Sequence, residues 1–374
     1  MKLIVVLFSL AAVSCTSPTH RAISTGNGPT SEVFRPKWEK KLIKNVRFSS
    51  VPEQFSSPVF NIPGNIIYTG TSEGNFYALN LNGQLVWKVN LASPIHSVPL
   101  LLSAKELVVV GTISGELFAL SMKDGKTKWK FKGFGSFLGT LVYKNGVIYG
   151  TTSKNMLYAI SAHDGKEHWS RRHETLGGFT VRGHSSPGLS GKNLIYGLSD
   201  GRVVNVDITK RGNILWIQSL ENADDENYID ADSTPVIDGN TVYVATYRKG
   251  ITALDLKTGK PVWRYGAYGV TDIHKVDEKL FFVSPTNGIH CITTSGKLVW
   301  RQNIKLGTPG KIIIEKRRMI IPFDKSGLIA LDSKTGFFHQ RFDTGDGVSG
   351  NAAYKNLLLA VLTNSGSLFL MDLR

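Results

Sequence analysis

Gly74-Asn75-Phe76-Tyr77-Ala78-Leu79-Asn80-Leu81-Asn82-Gly83-Gln84-Leu85-Val86-Trp87 is the stretch that decides the fold, because Gly250-Ile251-Thr252-Ala253-Leu254-Asp255-Leu256-Lys257-Thr258-Gly259-Lys260-Pro261-Val262-Trp263 repeats its plan. Each copy is a short β-favouring run, a tight turn closed by glycine, and a tryptophan. The run recurs eight times, led by glycine in seven copies and by Asn155 in one. Trp87, Trp129, Trp169, Trp216, Trp263 and Trp300 are separated by 42, 40, 47, 47 and 37 residues. That period is the length of one propeller blade. The chain is therefore read as all-β, an eight-bladed β-propeller of four-stranded antiparallel blades.

One blade is traceable in full: strands at Ser56 to Asn61, Ile66 to Gly70, Phe76 to Leu81 and Leu85 to Leu91, with turns at Pro63-Gly64, Glu73-Gly74 and Asn82-Gly83. Asn and Asp bond their own backbone in such turns, and glycine supplies positive φ. No long amphipathic helix is expected anywhere. The tryptophans are read as packing, each burying its ring against the neighbouring blade.

Two copies depart from the plan. The seventh, from Gly327, has Gln340 in the tryptophan's place, between Phe338 and Phe342. The eighth begins at Gly366 and ends at Arg374 without an outer strand. Trp38, the one tryptophan outside the repeats, lies in Arg35-Pro36-Lys37-Trp38, and this N-terminal strand is expected to close the eighth blade. Closure removes an open edge between first and last blades.

The N-terminus sets the compartment. Met1-Lys2, the apolar run Leu3 to Val13 and the small residues up to Ser14 have the form of a secretory leader, too short to span a bilayer. Ala12-Val13-Ser14-Cys15 resembles a bacterial lipobox, with Cys15 as the lipidation site; a secreted leader that merely contains cysteine is the alternative. Thr16, where aspartate would signal inner-membrane retention, points to the periplasmic face of the outer membrane of a Gram-negative bacterium. The division expected is 1–14 signal peptide, 15–33 lipidated N-terminus and flexible tether, and 34–374 a single propeller.

Cys291 stands where Ala78, Ala119, Ala159 and Ala253 stand in other copies, and is read as a small core residue. With Cys15 acylated, no disulfide is available. The net charge of +15 is scattered through all blades without a nucleic-acid motif, so nucleic acid is not an expected partner; anionic membrane surfaces or acidic partners suit it better.

No catalytic residues are found. Gly345-Asp346-Gly347-Val348-Ser349-Gly350 has the letters of a dinucleotide fingerprint but joins two blades and precedes a strand. The nine histidines have no metal-ligand spacing. Neither a metal nor a cofactor is expected.

The repeat, with Tyr77-Ala78-Leu79 in one copy and Asp255, Thr258-Gly259-Lys260 and Trp263 in another, resembles the pyrroloquinoline-quinone-type propeller family. That family includes quinoprotein dehydrogenases and the BamB lipoproteins of the outer-membrane β-barrel assembly machine. The adjacent cysteine pair and extra length of the dehydrogenases are lacking here. Two interruptions of the repeat, Phe179-Thr180-Val181-Arg182-Gly183-His184-Ser185-Ser186-Pro187 and Asp230-Ala231-Asp232-Ser233-Thr234-Pro235, are similar to BamB segments. They precede corresponding strands of consecutive blades and are expected side by side on one rim.

The resemblance implies a scaffold that binds a POTRA domain of BamA. Arg182, Asp230 and Asp232 would make charged contacts, and Phe179 and Val181 apolar ones. The other assembly subunits and unfolded outer-membrane protein clients are the further partners it implies. On the residues alone, Asp230 and Asp232 as turn caps paired with Arg182 remain open. A quinone-dependent periplasmic oxidoreductase and a generic ligand-binding propeller are the alternative functions.

Overall fold

The computed structural model describes residues 22–23, 32–43, 53–174, 185–220, 231 and 233–374. They form eight antiparallel sheets arranged as propeller blades, with two one-turn 3-10 segments, Ser103–Lys105 and Ile208–Lys210, as the described helical structure. Blade one consists of Val59–Asn61, Ile66–Gly70, Asn75–Asn80 and Leu85–Asn90. Its first strand starts later than the sequence trace because Ser56 and Ser57 are used for bonds between segments. Ser56 Oγ accepts from Gly70 N at 3.0 Å, and Ser57 Oγ accepts from Asn351 N at 3.0 Å.

The glycine that leads each repeat is required by geometry. Gly74, Gly115, Gly201, Gly250, Gly288, Gly327 and Gly366 have φ between 74° and 90°, and Asn155, the exception, sits at 52°. A Cβ at Gly288 would lie 2.1 Å from the Gln302 carbonyl oxygen, and one at Gly327 would lie 2.3 Å from that of Phe342. This is the turn over which the outer strand of the same blade closes. Asparagine is the side-chain-bearing residue most tolerant of that region.

The tryptophans bury their rings against the next blade. Trp87 and Trp263, for example, donate their indole N–H to Met122 O at 2.9 Å and to Thr294 O at 3.1 Å, each on the following blade. Each of the seven rings rests on the glycine of the next blade's outer hairpin; Cβ atoms built at Gly125 and Gly165 would sit 2.7 and 2.6 Å from Trp87 and Trp129. Opposite the tryptophan within its own blade stands alanine or cysteine in five of seven cases, Asn205 facing Trp216 and Leu370 facing Trp38 being the others. Cys291 is one of the five, fully buried across from Trp300, and burial pushes its thiol up to about 11.

Phe34–Lys41 pairs with Ser367–Leu373 and closes the eighth blade, with Trp38 opposite Leu370. This closure explains Gln340. The eighth blade's last two strands come from opposite ends of the chain, so no hairpin glycine exists there for a tryptophan to rest on. Gln340 Oε1 instead accepts from Val33 N at 2.7 Å and Phe34 N at 3.0 Å, fastening the start of the closing strand.

One feature of the tether differs from expectation. Ala22–Ile23 pairs antiparallel with Phe342 and Arg341, adding a fifth strand to the outside of blade seven. The remaining tether residues, Cys15 and the leader lie outside the described residues. No described helix is long and apolar enough to cross a membrane.

Candidate functional site

The segments that lead from the outer strand of one blade to the inner strand of the next all reach the same face, where they surround the mouth of the central channel. The mouth is a cavity of about 390 Å³, to which every blade contributes. Its wall is largely a girdle of hydroxyls and amides bonded from blade to blade. Thr140 N donates to Ser186 Oγ at 2.8 Å, and Lys311 N donates to Asn351 Oδ1 at 2.8 Å. The Lys311 ammonium reaches Thr234 Oγ1 at 3.5 Å, and the Phe55 and His96 rings meet on one side, tilted by 46° with centroids 4.8 Å apart. Burial lowers the His96 pKa, which favours the neutral ring.

Both interruptions of the repeat end at this mouth. Ser186 and Thr234 line the cavity. Ser185 Oγ donates to Ser233 O at 2.7 Å, while Ser185 O accepts from Thr151 Oγ1 at 2.6 Å. The C-terminal ends of the two segments are therefore tied together, on the rim shared by blades four and five. Space there is tight: a Cβ at Gly197 would lie 1.8 Å from Ala231 O, and one at Gly188 would lie 2.4 Å from Pro235 O. Between blades three and four, His173 Nε2 and Tyr196 Oη share a buried hydrogen bond of 2.6 Å; burial lowers the histidine pKa and raises that of the tyrosine.

Phe179, Val181, Arg182, Asp230 and Asp232 lie outside the described residues, as does Cys15. The described structure thus brings together the ends of the two segments but does not describe those side chains. Sequence reasoning missed an aromatic pair at the loops of blade five. Tyr247 and Tyr268 meet edge to face with centroids 5.0 Å apart, and Tyr268 is exposed. The one available signal was that Tyr247 is the only aromatic residue in the turns between second and third strands.

The cavity was tested against the chemistry of a quinone held with calcium. Calcium takes six to eight oxygens, usually with several carboxylates. Among the described residues the wall offers one carboxylate, Asp272, and Cys291 lies in the framework rather than at the mouth. Among the described residues no three His, Cys, Asp or Glu side chains are grouped to hold a metal. These residues do not fit that group. Gly345 to Gly350 indeed joins two blades, with Gly345 and Gly347 at positive φ and Ser349 and Gly350 in the cavity wall.

Comparison with known proteins gives a consistent picture. The sequence profile of the family described as outer membrane protein assembly factor BamB matches residues 82–292 and 249–339. An assembly factor of that name from Yersinia pestis is 26% identical over 299 residues, covering 76% of this chain and 73% of the relative. That from Nitrosomonas eutropha is 23% identical over 350 residues, 91% of this chain and 82% of the relative. Among solved structures, BamB from Moraxella catarrhalis superposes with a TM-score of 0.76 at 17% identity, over 91% of this chain and all of that one. A quinohemoprotein alcohol dehydrogenase from Comamonas testosteroni gives 0.69 at 12% identity, over 91% and 76%. At such identities the structural likenesses speak for the fold alone.

Proposed function

The chain belongs to the BamB family of outer membrane protein assembly factors, and from that premise we propose that it is a non-enzymatic scaffold of the outer-membrane β-barrel assembly complex. In this reading it is anchored through a lipidated Cys15 on the periplasmic face of the outer membrane. It binds a POTRA domain of BamA and assists the folding and insertion of β-barrel proteins. The observation that carries the reading is the joining of the two repeat interruptions by the Ser185–Ser233 bond, at the rim where both leave the framework. A propeller holds such loops rigidly while leaving their sequences free.

Arg182, Asp230 and Asp232 supply the charged contacts, and Phe179 and Val181 the apolar anchors. Pull-down of a BamA homologue tests this. Arg182→Glu and Asp232→Arg are each expected to abolish capture without shifting the melting temperature; capture retained by both removes the site assignment. For the anchor, Cys15→Ala is expected to abolish palmitate labelling and release the protein from outer-membrane vesicles.

The similarity of the propeller to a dehydrogenase favours one second reading, a quinone-dependent oxidoreductase. Dye reduction after addition of pyrroloquinoline quinone and calcium separates the two. The scaffold reading expects none, and robust turnover would sink it.

A further inference from the structure

A propeller leaves the outer strand of every blade with one side unpaired, and natural sheets guard such edges with charges or proline. Seven of the eight outer strands here follow that rule. Blade one has Lys88, blade two Lys128, Lys130 and Lys132, and blade three Glu167, Arg171 and Arg172. Blade five has Pro261 and Arg264, blade six Arg301, blade seven Arg341, and the closing strand of blade eight Pro36 and several lysines. Blade four does not. Its outer strand, Asn213–Ser219, reads Asn-Ile-Leu-Trp-Ile-Gln-Ser, with neither charge nor proline.

The guard is missing at the position where five of the other blades carry a basic residue. Lys88, Lys130, Arg264, Arg301 and Arg341 each directly follow the residue at the tryptophan position; in blade four that residue is Ile217. Trp216 turns inward, whereas Ile214, Leu215 and Ile217 are 42%, 41% and 42% exposed. Lys210 and Arg211 belong to the turn before the strand. Among the described residues no strand pairs with its outer side.

Blade seven indicates what such an edge accepts. There Ala22–Ile23 lies antiparallel along Phe342 and Arg341, so an outer strand of this propeller has room for a fifth, even beside an arginine. The edge of blade four offers a longer row of main-chain groups over residues 213–218, flanked by aliphatic side chains instead of a charge, while Ser219 O accepts from Gln218 Nε2 at 2.7 Å.

We propose that the outer edge of blade four, residues 213–218, binds an extended segment of an unfolded outer-membrane β-barrel protein by adding it as a fifth, antiparallel strand. Main-chain bonds hold a segment of any sequence, and Ile214, Leu215 and Ile217 select one with apolar side chains on alternate residues, the pattern of barrel strands. Neutrality suits this occupant, because apolar side chains of a barrel strand would meet desolvated charge on every other blade. This rests on the assembly-factor reading of the preceding section.

A photo-reactive amino acid in place of Leu215, and as control in place of Lys128, tests the assignment. The purified protein is irradiated with a urea-unfolded eight-stranded outer-membrane barrel protein diluted into buffer, without other assembly subunits. Adducts are expected at position 215 and at least tenfold fewer at 128. Ile217→Lys, and independently Ile214→Lys, are expected to reduce the adduct at least tenfold with unchanged melting temperature and unchanged capture of the BamA homologue. Equal adducts at both positions, or undiminished labelling in both lysine variants, would overturn the proposal. Loss of BamA capture by the unaltered protein would instead sink the assembly-factor reading, so the two failures are distinguishable.

Discussion

Blades two and four share a framework and differ at their edges. In both, the tryptophan of the outer strand donates its indole N–H to the next blade, Trp129 to Ala162 O at 3.3 Å and Trp216 to Leu256 O at 2.8 Å. Both rings rest on a hairpin glycine, Gly165 or Gly259. Outside that contact the strands part company: Thr127–Lys132 alternates lysines with its buried ring, whereas Asn213–Ser219 presents isoleucine and leucine. The inward side of an outer strand is constrained by the neighbouring blade's turn. Its outward side meets only solvent or a partner, so it is there that one blade can differ from the rest without disturbing the fold.

The largest effect should fall on the shared half of the comparison. Trp129→Ala and Trp216→Ala each empty a blade junction and are expected to cost about 3–5 kcal/mol in denaturant unfolding. A cost confined to one of them would break the equivalence of the two frameworks. The junction between blades seven and eight extends the test, because it works without tryptophan. Gln340→Leu strands two backbone N–H groups, those of Val33 and Phe34, and is expected to cost about 1–3 kcal/mol and to expose the N-terminal strand to protease.

Next comes the exchange of edge chemistry. Lys88→Ile leaves blade one's outer strand, Leu85–Asn90, without a charge and is expected to give blade one the client cross-linking proposed for blade four. Failure to gain it would show that an unguarded edge is insufficient.

The smallest effect concerns the ion pair at blade two's edge. Lys130 lies 2.6 Å from Glu116 and, chiefly through that hydrogen bond, holds its carboxyl below the usual range. A lowered carboxylate contributes stability that is present above its unfolded pKa and lost as pH falls through the folded value. Glu116→Gln should therefore cost less than about 1 kcal/mol near neutral pH, and the difference from the unaltered protein should vanish in acid. At this position blade four carries Arg202, which pairs instead with Asp200 at 2.6 Å.

Much of the fold was legible because its causes are local. A glycine forced to positive φ, a turn closed by glycine and a tryptophan with a small residue opposite leave a periodic trace in any sequence. Even Trp38 could be assigned to the eighth blade, since the count of strands left one missing. The pairing of Ala22–Ile23 with blade seven left no such trace, because main-chain bonds to an edge need no particular side chain. The site was legible only in outline. Phe179 to Pro187 and Asp230 to Pro235 stood out as interruptions, but nothing local told that Ser185 would bond Ser233, 48 residues away. The meeting of Tyr247 with Tyr268 left no sequence pattern either, since it depends on two loops converging.

By itself the sequence determined the number of blades, the residues packed between them and the N-terminal closure, all of which follow from a pattern repeated at fixed spacing. Tertiary structure alone decided what the exceptions mean. Gln340 became the acceptor for a strand arriving from the other end of the chain, and Ile217 became an exposed residue where other blades keep a charge. Both depend on which groups lie across a junction or beyond an edge. Those neighbours come from distant parts of the chain or from outside it, so their identity is written in no local stretch.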